Sequence, residues 1–396
     1  MAIIPVTALE LSGQRVLVRC DFNVPFTEGE GLQRKIADPA RIDASLPTIR
    51  FILDAGATAV LCSHLGRPKE RSSQFSLKPV AEYLSVALAR KVALAPDCIG
   101  DVTGKMIAAL KPGDAILLEN LRFHAEEEAN DRDFSHELAR GKNVYVNDAF
   151  GSAHRAHAST VGVTRFLPER AAGLLMLAEL EALRSVTENP ARPMVAILGG
   201  AKVSDKIGLI KNLLPRVDAI LIGGAMAYTF LRAQGIAVGH SRVEEDKIAL
   251  ARELLTLAEN MGVRIVLPSD HIVASAPEAG AVAETVVEIP AEMMGLDIGP
   301  ATIERFTAAI APAKTVIWNG PLGFFEIPDF ARGTLAVGEA LANQSGTKSI
   351  LGGGDTAAAV AGHDWATHFT HISTGGGATL EFLEGRELPG VKALER

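Results

Sequence analysis

Basic side chains follow the strand-like segments in the first half of the chain. Apolar runs there lead into VRCDFNVP (18–25), CSHLGRP (62–68), ENLRFHAE (119–126) and NDAFGSAHRAH (147–157). A guanidinium group donates paired hydrogen bonds to a phosphate or a carboxylate. For any single residue, pairing with a glutamate or with solvent explains the pattern as well, but clusters after several strands favour an anion pocket. Its basic candidates are Arg19, Arg41, His64, Arg67, Arg122, His124, His154, Arg155 and His157.

Glycines replace the basic residues after the strand-like segments of the second half. The corresponding ends read AILGGAKVSDK (196–206), ILIGGAM (220–226), IWNGP (317–321), ILGGGDT (350–356) and ISTGGGA (372–378). Glycine lets backbone N–H groups approach a ligand closely, and N–H groups at a helix start favour phosphate. The two halves therefore predict two separate half-sites for anions.

Two pairs of polar residues each have two interpretations. Asp21 and Asn23 lie two residues apart and could face one pocket, although an Asx-type turn before Pro25 is the simpler interpretation. Lys202 and Lys206 lie four residues apart at a predicted helix start, where one helix face and a positive helix end would bind phosphate. Alternatively, both are exposed lysines at the entry to a helix.

Single acids in the second half suggest nucleotide chemistry. Asp355 offers a carboxylate for Mg²⁺, and Thr356 offers a hydroxyl for phosphate. The alternative is that their segment is only a tight strand-to-helix turn. Glu326 is either a ligand for a ribose hydroxyl or a surface acid.

Composition excludes several classes of protein. The 396 residues are 48% hydrophobic and 22% charged, with 39 basic and 47 acidic residues and a net charge of −8, which argues against a nucleic-acid binder. The odd number of cysteines, 3, has no CxxC spacing, so neither a disulfide framework nor a zinc site is predicted. The N-terminal segment lacks the features of a signal peptide, and we expect a cytoplasmic protein without a membrane span. The charge run 126–128 is most simply a solvated loop.

Apolar runs and helical periodicity alternate along the chain, as in parallel α/β sheets. A length of 396 residues favours two domains. Strands are predicted at 15–18, 58–62, 92–95, 115–118, 143–146, 194–198, 219–222, 264–267, 315–318, 349–351 and 371–373. Helices are predicted at 77–90, 172–186, 205–214, 247–261, 300–311 and 331–343. Because the carboxyl ends of parallel strands carry the ligands in such folds, the residues after each strand are the candidates for a site.

A dinucleotide-binding motif competes with this interpretation. Residues 352–357 match G-x-G-x-x-A, but the next strand ends in Ser373 and Thr374 instead of the acid that would bind a ribose. A nicotinamide oxidoreductase is therefore disfavoured. The chain also lacks the GxxxxGK[ST], GxSxG and HExxH motifs of other enzyme classes.

Assembled in order, the segments resemble the phosphoglycerate kinase family along nearly the whole chain. The segments are CDFNVP, HLGRP, LLENLRFHAEEE, NDAFGSAHRAHAS, LGGAKVSDKI, WNGPLGFFE, LGGGDT and STGGGATLEFLEG. The resemblance implies two Rossmann-like α/β domains, each a parallel sheet flanked by helices. Residues 1–170 would bind 3-phosphoglycerate, 171–190 would form a helical hinge, and 191–379 would bind Mg-ATP or Mg-ADP. Residues 380–396 would pack back on the first domain.

The same resemblance implies roles for individual residues. Substrate would be bound by Asp21, Phe22, Asn23, Arg41, His64, Leu65, Gly66, Arg67, Arg122 and Arg155. Nucleotide would be bound by Lys202, Lys206, Gly223, Asn319, Glu326, Gly353, Gly354, Asp355 and Thr356, with Asp355 holding Mg²⁺. The catalytic residues would be Arg41, Lys206, Gly353, Gly354 and Gly376. Ala301 in DIGPAT, where the family commonly has lysine, leaves these roles intact.

The implied reaction moves the γ-phosphoryl group of ATP to the carboxylate of 3-phosphoglycerate, reversibly. A carboxylate is already ionised, so positioning and charge stabilisation are the protein's tasks. We expect a monomer that acts on these small molecules and binds neither nucleic acid nor membrane. Two alternatives stay open at this point: a nicotinamide dehydrogenase, and a protein that binds phosphate or nucleotide without catalysis.

Overall fold

The computed structural model of this protein describes residues 3–27 and 34–396. The chain divides into two units, Met1–Leu180 with Glu387–Arg396, and Glu181–Arg386. The boundary between them lies inside one helix, Leu174–Thr187. Among the described residues, none of the helices combines the length and the apolar character that a membrane crossing requires.

The first unit is built on a parallel sheet of six strands in the order β3-β4-β2-β1-β5-β6. The strands are β1 (Arg15–Arg19), β2 (Thr58–Cys62), β3 (Val92–Leu94), β4 (Ala115–Leu117), β5 (Val144–Asn147) and β6 (Glu169–Ala172). Its helices are α1 (Ala40–Asp54), α2 (Lys78–Ala87), α3 (Asp101–Ala108), α4 (Ala125–Glu128) and α5 (Arg132–Ala139), followed by α6 (Leu174–Thr187) at the boundary. β1 is a central strand that pairs with β2 on one side and with β5 on the other.

The second unit contains another parallel sheet of six strands, in the order β15-β14-β13-β7-β8-β9. Its strands are β7 (Met194–Leu198), β8 (Ala219–Ile222), β9 (Arg264–Val266), β13 (Thr315–Asn319), β14 (Lys348–Gly352) and β15 (His371–Ile372). Three more strands, β10 (His271–Ala274), β11 (Glu284–Val286) and β12 (Met294–Ile298), form a small antiparallel sheet. The helices are α7 (Ile207–Leu213), α8 (Met226–Ala233), α9 (Ile248–Asn260), α10 (Pro300–Ile310), α11 (Arg332–Ala342), α12 (Gly354–Val360) and α13 (Gly377–Leu383).

The two predicted parallel α/β folds are thus confirmed. Burial explains why the apolar runs become strands: β2, β7 and β13 are buried along their whole length. Apolar side chains of helices pack against each sheet, and each unit contains a cluster of buried apolar residues.

The C-terminal residues belong to the first unit. They include the short helix α14 (Pro389–Lys392), and Gly390 donates its N–H to the carbonyl of Ala153 at 2.8 Å. Arg396 forms an ion pair with Glu169 of β6 at 2.8 Å. The end of the chain therefore packs on the sheet of the first unit.

Candidate active site

The loop that follows β1 is organised by Asp21 and Asn23. The N–H of Asn23 donates to Oδ1 of Asp21 at 3.1 Å, which is the Asx-type turn predicted from the sequence. Oδ1 of Asn23 accepts the N–H of Gly66 at 2.8 Å, and Oδ2 of Asp21 lies 3.6 Å from Nη1 of Arg41. Arg41 also donates to the carbonyl of Asn23 at 3.0 Å. The Asx-type turn and the contacts that orient Arg41 therefore occur together.

Gly66 fixes the loop that follows β2. Its φ angle is +62°, and a Cβ atom there would lie 2.5 Å from Cε1 of Phe75, so a larger residue would collide with that ring. Nη1 of Arg122 donates to the carbonyl of Gly66 at 2.6 Å, and its Nε pairs with Glu128 at 3.0 Å. These contacts bring Arg122 to the loop that carries His64.

Arginines surround His64 in the first unit. Burial, followed by the charges of Arg19, Arg122, Arg155 and Arg41, lowers the pKa of His64 well below its usual value. His64 is therefore neutral at physiological pH. We call these five residues the basic cluster. They come from the end of β1, from α1 and from the segments that follow β2, β4 and β5 of the same parallel sheet.

The other predicted substrate residues differ in exposure. Phe22 is fully buried and Leu65 is 4% exposed, so their side chains belong to the core. Arg67 is exposed. Two of the histidines follow the alternative interpretation and face acids: Nε2 of His124 is 2.7 Å from Oδ1 of Asp97, and Nδ1 of His157 is 3.8 Å from Oε1 of Glu127.

Glu127 was misjudged from its sequence. The charge run 126–128 suggested a solvated loop, and Glu126 and Glu128 are indeed exposed, but Glu127 is 0% exposed and lies in α4. Its carboxylate accepts hydrogen bonds from the N–H (2.9 Å) and hydroxyl (2.5 Å) of Ser159, and lies 3.8 Å from Nδ1 of His157. Glu127 can be buried because buried cations lie beside it. Opposite charges compensate each other for the loss of water.

A cleft of about 530 Å³ opens in the second unit. We call it the glycine cleft, because glycines after β7, β13 and β14 line it together with charged residues. These strands are adjacent in the sheet, and β7 and β13 are where the direction of the chain connections reverses, the usual place for a ligand. Its lining includes Gly199, Gly200, Lys202, Asp205, Lys206, Asn319, Gly320, Gly353, Gly354, Asp355, Thr356, Gly377, Glu381 and Glu384.

The two lysines of the glycine cleft do not share one face of a helix, although the sequence predicted that they would. The α-helix begins at Ile207, after a 3₁₀ turn at Ser204–Lys206, so Lys202 precedes any helix and the argument from one helix face is wrong. Lys206 donates a hydrogen bond to Oδ1 of Asn319, whereas Lys202 is exposed. Burial lowers the pKa of Lys206, and the charges of Asp205, Asp355 and Glu384 oppose that shift.

Thr356 uses its hydroxyl within the protein. The hydroxyl donates to the carbonyl of Gly352 at 2.9 Å and accepts the N–H of Gly320 at 2.7 Å. Gly353, with a φ angle of +95°, precedes the first residue of α12, and Gly376, with a φ angle of +49°, precedes α13. These glycines provide left-handed turns that place helix starts near the cleft.

Gly223 and Glu326 do not belong to the lining of the glycine cleft. A Cβ atom at position 223 would lie 2.6 Å from Cδ2 of Leu322, so this glycine allows the loops after β8 and β13 to pack closely. Glu326 is exposed in the segment after β13. Their predicted nucleotide contacts stay predictions.

Comparison with known proteins gives one consistent family. The family described as phosphoglycerate kinase matches residues 6–386 of this chain. A phosphoglycerate kinase from Koribacter versatilis is 53% identical, and the alignment covers 100% of this chain and 99% of that protein. The structure of phosphoglycerate kinase from Coxiella burnetii superimposes with a TM-score of 0.89 at 40% identity and covers 99% of both chains. That of the Pyrococcus horikoshii enzyme gives a TM-score of 0.87 at 33% identity, covering 99% of this chain and 98% of the other.

Proposed function

The chain belongs to the phosphoglycerate kinase family and is a phosphotransferase, and from this premise we propose that its two units divide the substrates between them. In this proposal 3-phosphoglycerate binds at the basic cluster, and ATP or ADP binds in the glycine cleft. The observation that carries the proposal is the glycine cleft, where Lys202, Lys206 and Asp355 line one space of about 530 Å³ with glycine backbone. Cations, a carboxylate and glycine backbone in one space suit a metal-bound polyphosphate.

The basic cluster suits an acid that carries both a phosphate and a carboxylate. Arg41 and Arg122 are each tied to a loop carbonyl, so their guanidinium groups are oriented before a ligand arrives. Oriented guanidinium groups bind such oxygens with two parallel hydrogen bonds. Asp21, Asn23 and Gly66 support this site by holding the loops, and Arg67 and Arg155 add positive charge.

Magnesium fits the donors of the glycine cleft. The exposed carboxylate of Asp355 lines the cleft, and Mg²⁺ typically takes one or two carboxylates together with substrate phosphates. We therefore propose that Asp355 holds Mg²⁺ with the nucleotide, where the ion would neutralise phosphate charge. Asp205 lies in the same cleft and is the natural comparison.

The residues of the chain stabilise charge on the transferring phosphoryl group. Its acceptor carboxylate needs no general base, so Arg41, Lys206 and the N–H groups at Gly353, Gly354 and Gly376 act by position and charge. Transfer requires reacting atoms within about 3–3.5 Å, so we propose that the units close around the substrates during turnover. Asn319 contributes by orienting Lys206.

We further propose a cytoplasmic monomer that works on these two small molecules. The three cysteines, Cys20, Cys62 and Cys98, are free and buried, which suits a reducing compartment. The monomeric state, the hinge at 171–190 and the contacts of Gly223, Glu326 and Thr356 with nucleotide remain predictions for direct measurement.

The test is turnover of 3-phosphoglycerate with Mg-ATP, measured by coupling the acyl phosphate to glyceraldehyde-3-phosphate dehydrogenase and following the loss of NADH. We expect rapid turnover that stops when a chelator removes Mg²⁺. Binding of both ligands without turnover would instead identify a protein that binds without catalysis. Enhanced NADH fluorescence on mixing with this protein alone would favour the dehydrogenase alternative.

A further inference from the structure

Arg19 ends β1 and is the most buried member of the basic cluster. It is 1% exposed, so its guanidinium group acts inside the protein. Its Nε donates to Oγ of Ser159 at 2.8 Å, and its Nη1 donates to the carbonyl of Cys20. Its Nη2 lies 3.2 Å from Nδ1 of His64 and 3.4 Å from Oγ of Ser152.

The charge of Arg19 is compensated through a hydroxyl. Ser159 accepts from Arg19 and gives its single hydroxyl proton to Oε1 of Glu127 at 2.5 Å. Glu127 also accepts the N–H of Ser159 at 2.9 Å. Burial raises the pKa of Glu127, and the charge of Arg19 opposes that shift. Glu127, Ser159, Arg19 and His64 therefore form one continuous buried chain of hydrogen bonds.

The direction of the last bond in this chain determines the tautomer of His64. A guanidinium group has only donors and stays protonated at any physiological pH. Nδ1 of His64 must therefore accept, and in a neutral imidazole the proton then resides on Nε2. Protonation of Nδ1 would place two N–H groups against each other at 3.2 Å. The surrounding guanidinium charges act in the same direction, because they lower the pKa of His64.

We propose that Arg19 is a positioning residue that fixes His64 as the neutral Nε2–H tautomer, so that His64 offers one hydrogen-bond donor to an oxygen of 3-phosphoglycerate. This inference rests on the proposed function, which places that substrate at the basic cluster. The four arginines then supply the positive charge, and His64 supplies a directional donor. Such a donor selects an oxygen at one position, whereas a cation attracts any anion.

The first test uses the wild-type protein labelled with ¹⁵N-histidine. Long-range ¹H–¹⁵N spectra at neutral pH distinguish a protonated from an unprotonated ring nitrogen, and the His64→Gln spectrum identifies the signals of His64. We expect a protonated Nε2 and an unprotonated Nδ1. A protonated Nδ1, or two protonated nitrogens, would overturn the proposal.

Variants then test whether Arg19 causes the tautomer. Arg19→Met removes the donors, and we expect mixed tautomers at His64 and a KM for 3-phosphoglycerate raised by about tenfold, with kcat nearly unchanged. Arg19→Lys keeps a charged donor and should partly restore the Nε2–H signal. Ser152→Ala removes the longest contact of Arg19 and is the matched control, expected to leave the tautomer unchanged. An unchanged tautomer in folded Arg19→Met would contradict the proposal.

Addition of 3-phosphoglycerate separates this inference from the function on which it rests. We expect the Nε2–H signal of His64 to shift and to become protected from exchange with solvent. Suppose that the wild-type tautomer is as expected but the substrate shifts none of the His64 signals. The proposed substrate site is then wrong, and so is the role of His64 as a donor to the substrate. If the signals shift but Nδ1 carries the proton, the site stands and the role of Arg19 is wrong.

Discussion

Nζ of Lys206 donates a hydrogen bond to Oδ1 of Asn319 across the two central strands of the second unit. Lys206 lies in the segment that follows β7, and Asn319 is the last residue of β13. Because β7 and β13 are hydrogen-bonded neighbours, their carboxyl ends meet at one edge of the sheet. The contact therefore aims an ammonium group into the glycine cleft before any ligand binds.

Replacement of Lys206 should impair the chemical step more than nucleotide binding. We expect Lys206→Ala to lower kcat by about 100- to 1000-fold, the usual loss when one oriented group that stabilises transition-state charge is removed. Lys202→Ala is the matched control, since Lys202 lines the same cleft but is exposed. It should mainly raise the KM for ATP. Equal effects of the two variants on kcat, measured in the coupled assay, would contradict a special role for Lys206.

Arg41 should show the same kinetic pattern from the first unit. Its guanidinium is held by Asp21 at 3.6 Å and by the carbonyl of Asn23 at 3.0 Å, yet its side chain remains 35% exposed. We expect Arg41→Ala to lower kcat by at least about 100-fold while KM for 3-phosphoglycerate changes much less.

A control for Arg41 exists on the same helix. Arg50 of α1 is exposed and donates to the carbonyl of Ala87 at 2.9 Å, so Arg50→Ala should leave both kinetic constants close to wild type. If Arg41→Ala changes kcat and KM by comparable factors, Arg41 binds the ground state and the transition state equally, and its proposed catalytic role fails.

The sequence predicts the strands of the two parallel sheets better than those of the small antiparallel sheet. Each predicted strand has a counterpart among the described elements, and the buried ones such as β2, β7 and β13 show the continuous apolar run that a parallel strand buried on both faces needs. β6 (Glu169–Ala172) was missed because its sequence, ERAA, contains no such run. The small sheet of β10 to β12 was missed for a related reason: its strands include the polar residues His271, Glu284 and Asp297.

For the site, the sequence predicts which residues lie at the strand ends but not which partners they take. The arginines and glycine turns that follow the strands were selected by the rule that ligands bind at the carboxyl ends of parallel strands. The pairing of Arg19 with Glu127 through Ser159 has no local signal, since 140 residues separate Arg19 from Ser159. The three-dimensional structure is needed to show that Glu127 is buried and joined through Ser159 to Arg19 at the end of β1.

Asp355 should determine the Mg²⁺ concentration that activity requires. If its carboxylate holds the ion together with nucleotide phosphates, Asp355→Asn should raise the Mg²⁺ concentration for half-maximal activity by about tenfold or more, because an amide carries no charge. Asp205→Asn is the control from the same cleft. Titration of the coupled assay with Mg²⁺ at fixed ATP gives the answer, and equal shifts in the two variants would assign the effect to the general charge of the cleft.

Asp148 connects β5 with the helix at the boundary between the units. Its Oδ1 accepts the N–H groups of Leu175 (2.9 Å) and Met176 (3.2 Å) in the first turn of α6. Burial raises the pKa of Asp148 from 3.8 to about 7, and these bonds together with the hydroxyl of Thr48 only partly oppose the shift. The folded protein therefore keeps a proton on Asp148 at pH values where the unfolded chain has released it.

Because of this proton, the free energy of unfolding decreases as pH rises. Between about pH 4 and about pH 7 the folded state binds more protons than the unfolded state at this site, so its contribution to the free energy of unfolding falls by up to about 1.4 kcal/mol per pH unit. Asp148→Asn keeps an oxygen for Leu175 and Met176 but cannot titrate. We expect its urea-unfolding free energy to decline less steeply than wild type over that range, whereas Asp329→Asn, at an exposed position, should follow wild type. If the unfolding free energy of Asp148→Asn falls with pH as steeply as that of wild type, the carboxyl group is already ionised in the folded protein at pH 5. The N–H groups at the start of α6 would then bind a buried negative charge.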